Sequence, residues 1–324
     1  MMMQRAGLWL FSATLAVLSS LGIAQGQEMR SFTDDLGRVV QVPAHPKRIV
    51  SLHDLDITIP LIELGARPVA SHGRTALDGT HFLRSSALLT GVDFDNSDIK
   101  FIGTTNIDLE ALVAAKPDLI ITEPARDTPI EQLEKIAPTV SIDHLIGSAP
   151  RIYARLADLT GTQAELTILE RRYKEQIDQL KHVVDAGSIT VSVLQANKGK
   201  ITVHHTYRTL GRVLRDAGFK FPQMIENIPD GERIDVSAER LPELDADCIF
   251  DTYRSDTGGK PADEQADMEK VLPGYCQFLK ACREGRYIIL PREETISNSF
   301  AALSLMVSNV QSHVSGRPLP DPKQ

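Results

Sequence analysis

Cysteine and tryptophan are scarce in this 324-residue chain, with three of the first and one of the second. The first cysteine is Cys248, far from the amino terminus, so no lipid anchor on a mature N-terminal cysteine is expected. A membrane-spanning run is lacking as well, because the apolar stretch at residues 6–18 is too short to cross a bilayer. No HExxH, CxxC, GxSxG or Walker sequence is present, which leaves metalloprotease, dithiol, acyl-transfer and nucleotide-hydrolysis chemistry without a motif. Positive charge is in deficit: 35 Lys and Arg against 43 Asp and Glu give a formal net charge of −8. That balance argues against a nucleic-acid partner, although it leaves room for a local basic pocket.

What is present starts with a leader. Arg5, the apolar core that follows it and the small residues around 22–26 predict a cleavable secretory signal peptide over residues 1–26 and a periplasmic destination. In that oxidising compartment Cys276 and Cys282 could pair or remain two free thiols, while Cys248 sits in an apolar run that predicts burial.

The middle of the chain carries one long helical signal. Over residues 162–187, Leu166, Leu169, Tyr173, Ile177, Leu180 and Val184 recur at spacings of three and four, an apolar stripe backed by charged residues. Thr162 with Glu165 predicts a capping box, and Gly187 a stop. Such a helix runs roughly 35 Å, the width of a small domain. On both sides short β-branched runs alternate with helical segments, which predicts α/β lobes built on mostly parallel sheets. The expected division is an N-terminal lobe at 27–161, the connecting helix, a C-terminal lobe at 188–316 and a frayed tail at 317–324. Residues 107–121 and 234–250 echo one another: each opens on Ile-Asp, carries a glutamate in a first helical turn, Glu110 or Glu239, and ends in a strand. Favourable placement at a helix N-terminus accounts for both glutamates on composition alone.

Ligands of open parallel sheets sit beyond the carboxyl ends of the strands. The strand exits read His53, Asp54 and Asp56; His72 and Arg74; Thr104 to Asn106; Glu123, Arg126 and Asp127. In the second half they read Gln195 and Asn197; His204, His205, Tyr207 and Arg208; Tyr253 and Arg254; and Arg292. Five arginines at such positions suit an anionic small molecule, since guanidinium forks match carboxylate geometry. Each also has a plainer reading as a solvated side chain, and Tyr207 as a packing residue. His204 and His205 point to opposite faces of a strand and cannot readily share an ion. His53 with Asp54 and Asp56 is the better cluster, and a polar turn explains it equally well.

The runs SFTDDLGRVVQVPAHPKRIVSL, IELGARPVA and IGTTNIDLEALVAAKPDLIIT, the connecting helix and LPELDADCIF together resemble the periplasmic substrate-binding proteins of iron-siderophore and cobalamin ABC importers. FDTYRSD is similar to the ferric citrate-binding branch. The resemblance implies two lobes on a rigid helix, a shallow cleft, little closure and no catalytic residues or cofactor. It implies a monomer that delivers a ferric chelate to a membrane permease, docked through Glu110 and Glu239. By the same resemblance Arg74, Arg126, Arg208, Arg254 and Arg292, with Tyr207, would hold an anionic ferric-siderophore of citrate or catecholate type. His205 and Tyr253 are possible iron ligands in that reading. A haem receptor of the same fold stays open, and a chelate-processing enzyme is a more distant alternative. Trp9 lies in the expected signal peptide, which disfavours an aromatic-lined cobalamin cleft.

Overall fold

A computed structural model describes residues 27–315. The expected signal peptide and tail lie outside the described residues. At the start of the first lobe β1 (Met29–Thr33) and β2 (Val39–Pro43) form an antiparallel hairpin rather than entering the main sheet. Its turn is organised by the Asp34 carboxylate, which accepts from the amides of Leu36 at 3.0 Å and Arg38 at 2.9 Å.

The main sheet of this lobe uses β3 (Ile49–Ser51), β4 (Ala70–Ser71), β7 (Lys100–Phe101), β8 (Leu119–Thr122) and β9 (Thr139–Ser141). A small antiparallel hairpin, β5 (Arg74–Thr75) with β6 (His81–Phe82), is inserted after β4. Strand order is β7-β4-β3-β8-β9, and every pairing is parallel. Successive side chains of a strand face opposite ways. Ile49, Leu119, Ile121 and Val140 accordingly join the core that runs under the helix Ala149–Thr160. Val50 and Ile120 join a second core with Leu112 and Leu133. Both faces are covered, as a parallel sheet requires.

The second lobe is mixed. β10 (Val191–Asn197), β11 (Lys200–His204), β12 (Arg233–Val236), β13 (Cys248–Tyr253) and β14 (Tyr287–Pro291) stand in the order β12-β11-β10-β13-β14. The β10–β13 and β13–β14 pairings are parallel, and β10–β11 and β11–β12 are antiparallel. The reason is local: Lys198 at φ 49° and Gly199 at φ 77° close a two-residue hairpin whose central positions are both left-handed. The predominantly parallel arrangement expected of each lobe therefore describes the first sheet fully and half of the second.

The connecting helix spans Gln163–Val183, with Leu166, Leu169, Tyr173, Ile177 and Leu180 buried. Its ends differ from the expectation. Thr162 makes no capping hydrogen bond; its hydroxyl meets at 2.8 Å that of Thr160, the last residue of the preceding helix, which Gly161 caps. The helix stops four residues before Gly187, which lies in a separate 3-10 turn. Nor is it a lone strut. The C-terminal helix Phe300–Val314 packs along it, and Ser304 donates to Gln176 at 2.8 Å. The amino end of that C-terminal helix reaches the first lobe, where the Ala301 amide donates to Glu63 at 2.9 Å and the Phe300 amide to the Tyr153 hydroxyl at 3.3 Å. Elsewhere Cys276 and Cys282 are disulfide-bonded, and Cys248 is buried.

Candidate ligand-binding cleft

In the first sheet the chain runs outward from β3 in both directions, to β4 and β7 on one side and to β8 and β9 on the other. The crevice beyond β3 and β8 is therefore a topological switch point, where the loops part and leave a hollow. His53, Asp54 and Asp56 follow β3, His72 follows β4, Glu123 and Arg126 follow β8, and His144 follows β9. The facing wall comes from the second lobe, from Arg208 and from the stretches after β13 and β14. The lobes touch at its base: the Asn298 amide donates to Asp56 at 2.8 Å, and Arg208 and the Asn298 side chain both donate to the His144 carbonyl at 3.1 Å. Ser85 donates to Glu294 at 2.8 Å.

Charge in this cleft is paired. Asp54 is fully buried and grips Arg84 through Nε at 2.9 Å and Nη2 at 2.6 Å. Burial opposes the Asp54 charge, yet Arg84 and the nearby His72 outweigh it and hold the carboxyl well below the usual range. For Asp56 burial prevails and raises its pKa, against the pull of His144 and Arg208. Burial also lowers His53 and His72, keeping both rings neutral. At half-buried Glu123 burial opposes the charge, but the neighbouring His144 and Arg126 outweigh it and lower its pKa. On the second lobe burial and Asp256 raise Glu293.

Of the sequence-predicted residues, Arg74, Arg126, Arg208, Arg254 and Arg292 meet in this one field. Arg74 feels both Arg84 of its own lobe and Asp256 of the other, and Arg208 acts on Asp56. Their engagement differs. Arg126 donates to Glu123 at 2.9 Å and to the Leu52 carbonyl. Arg254 is paired with Asp256 through two bonds of 2.9 Å, and Arg292 with Glu293 at 3.2 Å. Among the described residues Arg74 and Arg208 make no ion pair within 4.0 Å, and the Nε groups of Arg74 and Arg126 are buried without an acceptor. Arg208 adopts φ 44°, an unusual conformation for a side-chain-bearing residue.

Tyr207 does not face the cleft as a ligand contact. It is 3 % exposed, and its hydroxyl sits between Gln195 at 2.7 Å and Thr252 at 3.2 Å, so the ring is a core residue. His205 bonds Asp230 at 3.0 Å within its own lobe. Tyr253 ends β13, half-buried beside Arg254. Glu110 and Glu239 are both exposed in first helical turns, and at Glu110 the capping itself is done by Asp108. Sequence reasoning missed Arg84, His144, Asp256 and Asn298. Arg84 follows the small inserted β5–β6 hairpin rather than a strand of the main sheet, and Asn298 stands several residues past β14, although a buried Asp54 demands a cation nearby. A separate concavity of about 520 Å³ lies at the amino ends of β3, β4 and β7, lined by Arg48, Arg67 and Lys100 among others, remote from this convergence of charge.

Known proteins share the sequence pattern and the fold. The chain is 28 % identical over 284 residues to the putative ABC transporter substrate-binding lipoprotein YhfQ of Bacillus subtilis, covering 84 % of each. It is 28 % identical over 243 residues to the iron(3+)-hydroxamate-binding protein YxeB of the same organism, covering 72 % of this chain and 70 % of YxeB. The crystal structure of Staphylococcus aureus SirA complexed with staphyloferrin B superposes with a TM-score of 0.71 at 22 % identity, covering 88 % of this chain and 98 % of that one. No helix among the described residues is long and apolar enough to cross a membrane. A family model described as periplasmic binding protein matches residues 84–293, most of both lobes and the helix between them. With two α/β lobes meeting at a charged cleft, this chain belongs to the periplasmic binding protein family.

Proposed function

We propose that the chain is the substrate-binding component of an ABC importer and captures an anionic ferric chelate of citrate, other carboxylate or catecholate type. The observation that carries this reading is the pair of buried guanidinium Nε groups, Arg74 and Arg126, that lack acceptors on the cleft wall. A buried donor without a partner is costly, and anionic oxygens of a bound chelate would satisfy both. Arg208, free of any ion pair among the described residues, supplies charge from the opposite lobe. YxeB is named for a hydroxamate; uncommitted guanidinium groups favour charged oxygens over a neutral ferric hydroxamate. Titration of the purified protein with ferric citrate, a ferric catecholate and a ferric hydroxamate by fluorescence quenching tests this. Saturable binding of an anionic complex, weakened about tenfold or more in Arg74→Ala, is expected. Absence of saturable binding to any anionic ferric complex rejects the reading.

Delivery to the permease is assigned in this reading to Glu110 and Glu239, one on each lobe. The double variant Glu110→Ala with Glu239→Ala should bind chelate normally yet fail to support permease-dependent uptake. Exposed ion pairs are individually weak, about 0 to 1 kcal/mol, so each single variant should show a smaller defect. Normal uptake by the double variant returns both residues to simple helix-end charge compensation.

A further inference from the structure

Three neighbouring strand exits bring two imidazoles and a carboxylate to one point. His53 follows β3, Glu123 follows β8 and His144 follows β9, and these strands lie side by side. One ligating atom from each lies within 4.8 Å of the other two, the one such convergence among the described residues. Their side chains are only 10 %, 10 % and 11 % exposed. We propose that this cluster is a binding site for a divalent transition-metal ion of the zinc, cobalt or nickel kind, held by two imidazole nitrogens and one carboxylate oxygen. Such a donor set suits those ions better than calcium or magnesium, and three protein ligands leave coordination positions open to the cleft.

The donor atoms are prepared for this role. His144 Nδ1 is buried and makes no hydrogen bond, although Glu123 Oε2 is 3.0 Å away, because the contact is not aligned as one. Arg126 holds the other Glu123 oxygen at 2.9 Å, which leaves Oε2 to the cluster. Asp56 completes the arrangement from behind: its Oδ2 lies 3.9 Å from His53 Nδ1 and 3.8 Å from His144 Nε2. With the other nitrogen of each ring on the ion, both rings present an N–H to this one carboxylate, as metal-bound histidines commonly do.

One rearrangement is required. His53 Nδ1 now accepts the Asp56 amide at 2.9 Å, which places the ring proton on Nε2. Metal binding at Nε2 moves that proton to Nδ1, which exchanges the amide for the Asp56 carboxylate. The loss is one hydrogen bond against three metal bonds. The cationic surroundings are offset, since Asp54 is paired with Arg84, Glu123 with Arg126, and Asp56 faces Arg208.

The test uses the full protein stripped of metal by a chelator and titrated with Co²⁺, following its visible d–d bands, with Zn²⁺ competition by calorimetry. One equivalent is expected to bind, weakened at least about 100-fold in His144→Ala, since even outer-shell changes cost tenfold or more. Should His144→Ala fail to melt cooperatively, Glu123→Gln, which keeps the shape and removes the anionic donor, is read in its place with the same expectation. No binding by the unaltered protein, or a change below tenfold in a folded variant, overturns the proposal. The site does not depend on the ferric-chelate reading: chelate titrations use preformed complexes and Arg74→Ala, so either can fail while the other stands.

Discussion

The two walls of the cleft obey one topological rule and yet differ in kind. On the first lobe the charged groups are buried and interlocked: the side chains of Asp54, Arg84, Glu123 and Arg126 are 0 %, 10 %, 10 % and 7 % exposed. On the second lobe Arg254 is 55 % and Arg292 34 % exposed, each lying along its own acidic partner. The first sheet is wholly parallel, so its exits crowd together at a single switch point. The second turns half its strands back through the Lys198–Gly199 hairpin and presents fewer exits to the cleft. Placement at a strand exit therefore says where a charge will be, whereas the neighbouring topology says how dry it will be. Dryness sets the energetics, because a guanidinium–carboxylate pair is weak in water and costly to break when buried.

The largest expected effect is on the dry wall. Arg84→Ala leaves Asp54 as an uncompensated buried charge and should destabilise the fold by about 3–5 kcal/mol in urea denaturation. A loss below about 1 kcal/mol, the range of surface pairs, would erase the distinction between the walls.

Acid and base should separate the lobes next. Asp54 has its pKa depressed, so its contribution is present above the unfolded carboxylate value near 3.8 and is lost as pH falls through the lower folded value. Asp251, buried within β13 and hydrogen-bonded by Tyr287 at 2.5 Å, behaves oppositely. Burial first, and Glu264 next, raise its pKa well above the ordinary carboxylate value. Its contribution is complete below about pH 4 and is lost as pH rises through the folded value. Melting temperature followed from neutral pH downward should rise less steeply, or fall, in Asp251→Asn compared with the unaltered protein. Identical profiles for the two proteins would remove Asp251 from the account.

The smallest effect is on the wet wall. Arg254→Ala should change stability by no more than about 1 kcal/mol, because solvent already screens its contact with Asp256. A loss comparable to that of Arg84→Ala would mean the second wall is as tightly locked as the first.

Much of the architecture was legible in the residue pattern. The stripe from Leu166 to Leu180 announced the connecting helix, and the apolar runs at 119–122 and 248–250 announced buried strands, because periodicity reports burial directly. Its boundaries were less legible: Thr162 has the right chemistry for a cap, but Thr160 engages its hydroxyl. Tyr207 stands at a strand exit, which placed it among the site residues, and packing against Gln195 and Thr252 carries its ring into the core, as its plainer reading as a packing residue had it. Arg84 and His144 escaped notice because sequence separation conceals their partners, Asp54 thirty residues away and Glu123 on the adjacent strand exit.

The chain's own pattern determined that there would be two α/β lobes, a helix between them and arginines near the strand ends, since period and turn chemistry act over a few residues. Only the tertiary structure decided which arginines would be matched by carboxylates, which rings would be dry, and that His53, Glu123 and His144 would meet. Those outcomes depend on strand order and on long-range burial, and neither is encoded in the spacing of residues along the chain.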